Sequence, residues 1–95
     1  MNISTLPKLS HPDVDIAQFD LMRVLDYLDD AEQQIVLKAC AFGDQAHIKD
    51  KRKSGEPYIT HPIAVAEVLG SFRMDVVTIV ASILHVTVEN TAITV

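Results

Sequence analysis

Residues 52–62 read Arg-Lys-Ser-Gly-Glu-Pro-Tyr-Ile-Thr-His-Pro and concentrate most of the chain's reactive groups. Arg52 and Lys53 join Lys49 and Lys51 in a local cationic patch. Such a patch can hold a small phosphorylated ligand even on an acidic chain. Tyr58 adds an aromatic ring with a hydroxyl, and His61 adds an imidazole. A second cluster, His85-Val86-Thr87-Val88-Glu89-Asn90, follows downstream. If the helices carrying them are antiparallel neighbours joined by a short turn, His61 and His85 come together at one end. Two neutral imidazoles from adjacent helices are the start of a transition-metal site. The plainer alternative is that each is a satisfied core histidine.

Other polar residues admit simpler roles. Asp44 and His47 are three apart and share a helical face. That spacing suits a metal pair, an orienting hydrogen bond or an ordinary polar edge. Asp29 and Asp30 read as caps or solvated residues rather than a catalytic pair. His11, before Pro12, reads as a solvated surface histidine. Cys40 is the single cysteine, so no internal disulfide can form, and its apolar helical neighbours predict a buried small side chain.

The elements that must position these groups are helical. Residues 1–15 hold Pro7 and Pro12 and predict a flexible N-terminal arm, with the folded part spanning 16–95. Ile16, Phe19, Met22, Leu25 and Leu28 recur at helical spacing, so a first helix starts near Asp13 or Asp15. A second is predicted over about residues 31–49. Ser54-Gly55-Glu56-Pro57 is turn chemistry, because Gly55 tolerates positive φ and Pro57 disfavours helix at Glu56. Thr60 is the expected N-cap of a third helix, with Pro62 in its first turn and Gly70 or Ser71 at its end. Asp75 should cap a fourth, apolar on nearly every side, a pattern that predicts burial all round. The fold class is all-α, a helical bundle of about four helices.

Composition narrows the function. A chain of 95 residues is one small domain at most, and 48% hydrophobic content excludes a disordered chain. The net charge of −5 argues against general nucleic-acid binding. Neither a signal peptide nor a membrane-spanning run is visible, so a cytoplasmic protein without membrane contact is expected.

Residues 52–66, with Ala46-His47 before them and Leu84-His85-Val86-Thr87-Val88-Glu89-Asn90-Thr91 after, resemble the HD hydrolase domain of the RelA/SpoT family. Both motifs occur in the family's order and spacing, and the match covers about residues 20–95. The resemblance implies an N-terminal portion of an HD bundle and removal of the 3′-pyrophosphate of guanosine tetra- or pentaphosphate. It implies Mn2+ held by two histidines and two aspartates. By position, His61 and His85 match the metal histidines. Arg52 and Lys53 match nucleotide-holding residues, and Tyr58 lies in the same pocket-forming turn. Glu89 and Asn90 fall on the acidic pair that activates water.

Two departures alter that expectation. Val86 stands where the motif has its metal-binding Asp, and valine has no lone pair to offer. Asn90 replaces the second acid of the pair. The family's remaining Asp ligand lies downstream of Val95, so a truncated hydrolase domain is expected, with little or no hydrolysis. Val86→Asp alone should not restore activity. The alternatives are a non-catalytic guanosine-phosphate-binding or regulatory module, a generic helical interaction domain, and a zinc-dependent HD phosphohydrolase acting on another substrate class. Apolar helix faces left without cover predict self-association or docking on another chain.

Overall fold

Side chains that accept from backbone N–H groups set three of the four α-helix starts. The computed structural model describes residues 6–90, with side chains through residue 85. It contains α1 (Pro12–Val24), a one-turn 3-10 helix (Leu25–Tyr27), α2 (Asp30–Ala46), α3 (Thr60–Ser71) and α4 (Val76–Asn90). The all-α class is as the sequence predicts. The β-type pairing recorded among the described residues is a single bridge between Lys51 and Pro57.

α1 starts at Pro12, next to Asp13, the earlier of the two expected starts. His11 is its N-cap, with Nδ1 accepting from the Asp13 N–H at 3.0 Å, and Pro12 follows at the first helical position. Residues 12–15, assigned from sequence to the arm, therefore belong to the helix, and Val14 is fully buried. Leu6 and Leu9 also pack against the core, and the Gln18 amide donates to the Pro7 carbonyl at 3.0 Å. Residues 1–5 of the arm lie outside the described residues.

The helix expected to run on to Leu28 instead tightens after Val24. In 3-10 geometry residues three apart eclipse, which turns Leu25 and Leu28 to the same side. Both are buried, and the Leu28 N–H donates to the Leu25 carbonyl at 3.1 Å. α2 then opens on a capping box. The Glu32 N–H donates to Asp29 at 2.8 Å, and the Asp29 N–H donates to Glu32 at 3.1 Å. α2 buries Gln33, Val36, Leu37 and Cys40 at helical spacing. It ends at Ala46 rather than near 49, because His47 leaves helical geometry at φ −111°.

Thr60 is the first residue of α3 and not its N-cap. Ile59 before it already has helical backbone angles, and the Thr60 hydroxyl points back to donate to the Pro57 carbonyl at 2.8 Å. Gly70 does not end α3 but lets it pack closely. A Cβ there would lie 2.7 Å from Leu25 Cδ2 and 3.0 Å from Val24 Cγ1. The helix closes after Ser71 through Arg73, which takes the left-handed conformation at φ 56°. The Arg73 N–H bonds the Gly70 carbonyl at 2.9 Å and the Met74 N–H bonds the Leu69 carbonyl at 3.3 Å.

Asp75 caps α4 as expected, accepting from the Thr78 N–H at 2.9 Å. α4 is not buried all round. Ile79 and Ile83 are fully buried, whereas Val77 is 71% exposed. α3 packs against both α1 and α4, and α2 packs against α4. α1 and α2 touch little, so α3 and α4 form the middle of the bundle. Burying side chains such as Ile63, Ile79 and Ile83 contributes about 1.5–3 kcal/mol each.

Candidate functional site

Two grooves carry the chemistry, and residues 58–61 join them. The first belongs to the turn between α2 and α3. It begins where the Asp50 N–H bonds the His47 carbonyl at 2.8 Å. The Tyr58 N–H bonds the Asp50 carbonyl at 3.1 Å and closes the mouth of the turn. Inside it, the Arg52 N–H bonds the Glu56 carbonyl at 2.9 Å, and the Gly55 N–H bonds the Arg52 carbonyl at 2.8 Å. Gly55 sits at φ 92°, where a side chain would be strained. The turn frames a groove of about 410 Å3 lined by Lys51, Arg52, Lys53, Ser54 and Tyr58. Arg52, Lys53 and Tyr58, singled out from sequence, thus meet in one place. Arg52 is half-exposed with its guanidinium 3.7 Å from Glu56.

Beneath this turn lies His47, only 3% exposed. Its Nδ1 is 2.8 Å from the Asp50 carboxylate, and its ring centroid is 5.2 Å from that of Tyr58. An orienting hydrogen bond, one of the three readings of the Asp44–His47 spacing, is made by His47 with Asp50 instead. Asp44, itself buried, accepts from Ser10, through the backbone N–H at 2.9 Å and the hydroxyl. The early end of α2 is the reason: beyond Ala46 the i, i+3 relation of a regular helix no longer holds. Asp50 was not foreseen, although an acid three residues after a helix-terminal histidine is a legible signal.

The second groove, about 430 Å3, lies between α3 and α4. His61 and His85 both line it and both are exposed, so the structure brings the two predicted histidines to one site. The remaining lining is mostly apolar, including Pro62, Val65 and Leu69, with Thr78 and Ser82 across from them. The Ser82 hydroxyl donates to the Ile79 carbonyl at 2.7 Å. Val86, Glu89 and Asn90 lie on α4, but their side chains fall outside the described residues.

Among the described residues, the donors in this groove do not make up a Mn2+ site. Among the described residues no group of three or more His, Cys, Asp and Glu could hold a metal. No carboxylate among the described residues lines the groove beside the two imidazoles, and Val86 cannot supply the oxygen that a hard ion prefers.

The family model described as HD domain matches residues 39–95, a span that contains both grooves. The chain belongs to the HD domain family. Within that family its relatives are RelA/SpoT-type enzymes. This HD-domain chain is 46% identical over 69 residues to the probable GTP pyrophosphokinase of Mycobacterium leprae, covering 73% of this chain and 9% of that protein. It is 49% identical over 61 residues to the bifunctional (p)ppGpp synthase/hydrolase RelA of Mycobacterium tuberculosis, covering 64% and 8%. It is 38% identical over 78 residues to the GTP pyrophosphokinase rsh of Brucella melitensis, covering 81% and 10%. The HD-domain chain therefore spans a tenth or less of the length of these curated relatives. No helix among its described residues is long and apolar enough to cross a membrane.

Proposed function

We propose that this HD-domain chain is an alarmone-hydrolase-type module. It binds guanosine tetra- or pentaphosphate through its cationic turn and has little or no 3′-pyrophosphohydrolase activity of its own. The asymmetry between the two grooves carries this reading. One keeps Lys51, Arg52 and Lys53 beside Tyr58. The other presents His61 and His85 on an apolar wall, with valine at position 86. The cations offset diphosphate charge, and the Tyr58 ring and hydroxyl give the nucleotide an amphipathic wall. His61 and His85 remain as the imidazole part of a metal-type site. Glu89 keeps the carboxylate suited to a general base, with Asn90 able to hydrogen-bond but not to ionise. No hydrolytic step is assigned, because the donor set does not match the hard cation of the family chemistry. Such a ligand is met in the cytoplasm, which is the compartment proposed for the chain.

A second reading, a purely regulatory guanosine-phosphate-binding module, is favoured by the same cationic groove. Calorimetry with guanosine tetraphosphate, run beside an assay for pyrophosphate release with added Mn2+, tests both. Binding weakened about tenfold or more by Arg52→Ala, without turnover, is the result expected for the binding module. Pyrophosphate release abolished by His61→Ala overturns the claim of low activity. Absence of both binding and turnover overturns the alarmone reading altogether.

A further inference from the structure

Residues 51–55 of the cationic turn are all exposed, and Glu56 is half-buried, so no side chain of the turn's outer part anchors it by apolar burial. Its footing consists of buried Pro57 and Ile59 on one side and buried His47 on the other. Apolar contacts are non-directional and leave the pitch of a small turn undetermined. The contact between His47 and Asp50 has direction. An ionised carboxylate only accepts, so the imidazole Nδ1–H donates to Asp50 across 2.8 Å. The opposite end of the turn is held by the tilted stack of His47 on Tyr58. One buried ring thus touches the residues whose backbones pair to close the mouth, Asp50 and Tyr58.

We infer that His47 is a positioning residue for the diphosphate site: with Asp50 and Tyr58 it clamps the 50–58 turn in the arrangement that presents Arg52 and Lys53 to one anion. The ligand class rests on the nucleotide reading above; the clamp rests on the geometry of these three residues. Its physical use is preorganisation. A mobile exposed turn has to lose backbone freedom on binding an anion, and a turn already held by its base does not. The clamp also explains a charge arrangement that Coulomb attraction alone does not favour. Asp50 places a negative group at the foot of a cationic site, where charge by itself weakens anion binding.

That opposition of sign makes the test sharp. Asp50→Ala removes a negative charge near the site and also removes the acceptor for His47. Asp50→Asn removes the charge and keeps an acceptor oxygen. Two readouts on the chain decide the matter: amide hydrogen exchange at Arg52, Gly55 and Tyr58, and calorimetric affinity for inorganic pyrophosphate and for guanosine tetraphosphate. With Asp50→Ala, these three amides are expected to lose protection while Val36 and Ile63, inside α2 and α3, keep theirs. Affinity is expected to fall about fivefold despite the lost negative charge. Asp50→Asn is expected to restore both protection and affinity, and His47→Ala to behave like Asp50→Ala. If His47→Ala does not fold, the two Asp50 variants decide alone. Unchanged amide protection in Asp50→Ala, or an affinity that rises as charge alone demands, overturns the inference. If the unaltered chain binds neither probe, the nucleotide reading fails together with the ligand class assigned here, and the exchange data alone decide whether the clamp exists.

Discussion

Ser10 holds Asp44 from 34 positions away in sequence, donating to its two carboxylate oxygens from the backbone N–H and the hydroxyl. Asp44 is 3% exposed, so these bonds replace water around a buried acid and tie residues 6–11 to α2. Ser10→Ala leaves one oxygen without that donor and should lower stability by about 1–3 kcal/mol. Urea titration monitored by helical circular dichroism checks this. Lys8→Ala, on the same segment but exposed, should change stability far less.

Gly70 gives α3 its close approach to the end of α1. Gly70→Ala would gain helix propensity, yet its Cβ meets Leu25 and Val24 at 2.7 and 3.0 Å. Leu25 is fully buried and has little room to move. Overpacking is therefore expected to outweigh propensity, with a net loss of about 1–2 kcal/mol, read as a lower denaturation midpoint. An increase in midpoint would show that Leu25 can repack.

Cys40 lies in the core, and burial, with a smaller contribution from Asp44, pushes its thiol from 9.0 up to about 12. The neutral thiol is the form the folded state accepts. Its contribution to stability is present in full below the unfolded value of 9.0 and is lost as pH rises toward about 12. Cys40→Ala should flatten that part of the alkaline stability profile. Tyr27, also raised by burial against the lowering effect of Arg73, should account for a further part that Tyr27→Phe removes. Thiol-reactive dyes should label Cys40 only when the chain unfolds.

The cap of α4 has the opposite dependence. Hydrogen bonds from Thr78, from its side chain and its backbone, hold the Asp75 carboxyl below the usual range. A depressed acid stabilises the fold above its unfolded pKa, and that contribution disappears as pH falls through its folded value. Asp75→Asn keeps a capping oxygen and should reduce the acid-side loss of stability, followed by thermal denaturation across an acidic pH series. An unchanged acid limb would mean that other carboxylates set it.

Val77, 71% exposed, lies beside an apolar groove formed with Ile35, Val76, Val80 and Ala81. Exposed apolar surface of this kind promotes association. Sedimentation velocity should show a concentration-dependent species that Val77→Glu diminishes. A strictly monomeric chain at every concentration would contradict that expectation.

The capping groups Asp29 and Asp75, the Gly55 turn and the helical spacing of the core made α2, α3 and α4 legible before any coordinates. The meeting of His61 and His85 at one groove was one of two open readings, the other being two separate core histidines. Less legible were effects that act across the chain. Nothing local marks Ser10 as the partner of Asp44, and histidine is an uncommon helix cap, so His11 read as a surface residue. The end of α3 was legible as Gly70 or Ser71, but the choice of Ser71 was not, because the packing of Gly70 against Leu25 is a tertiary fact. The His47–Asp50 contact was hidden by where α2 stops, since a helix continued to 49 would have given His47 a different direction.

Hydrogen bonds within residues 47–58 shape the cationic turn, whereas the imidazole groove needs α3 and α4 to meet. These bonds tie the turn to the end of α2. On the proposed reading, anion recognition and metal chemistry draw on different stretches of the chain, so an engineer who retunes residues on α4 can ask directly whether recognition at the turn survives.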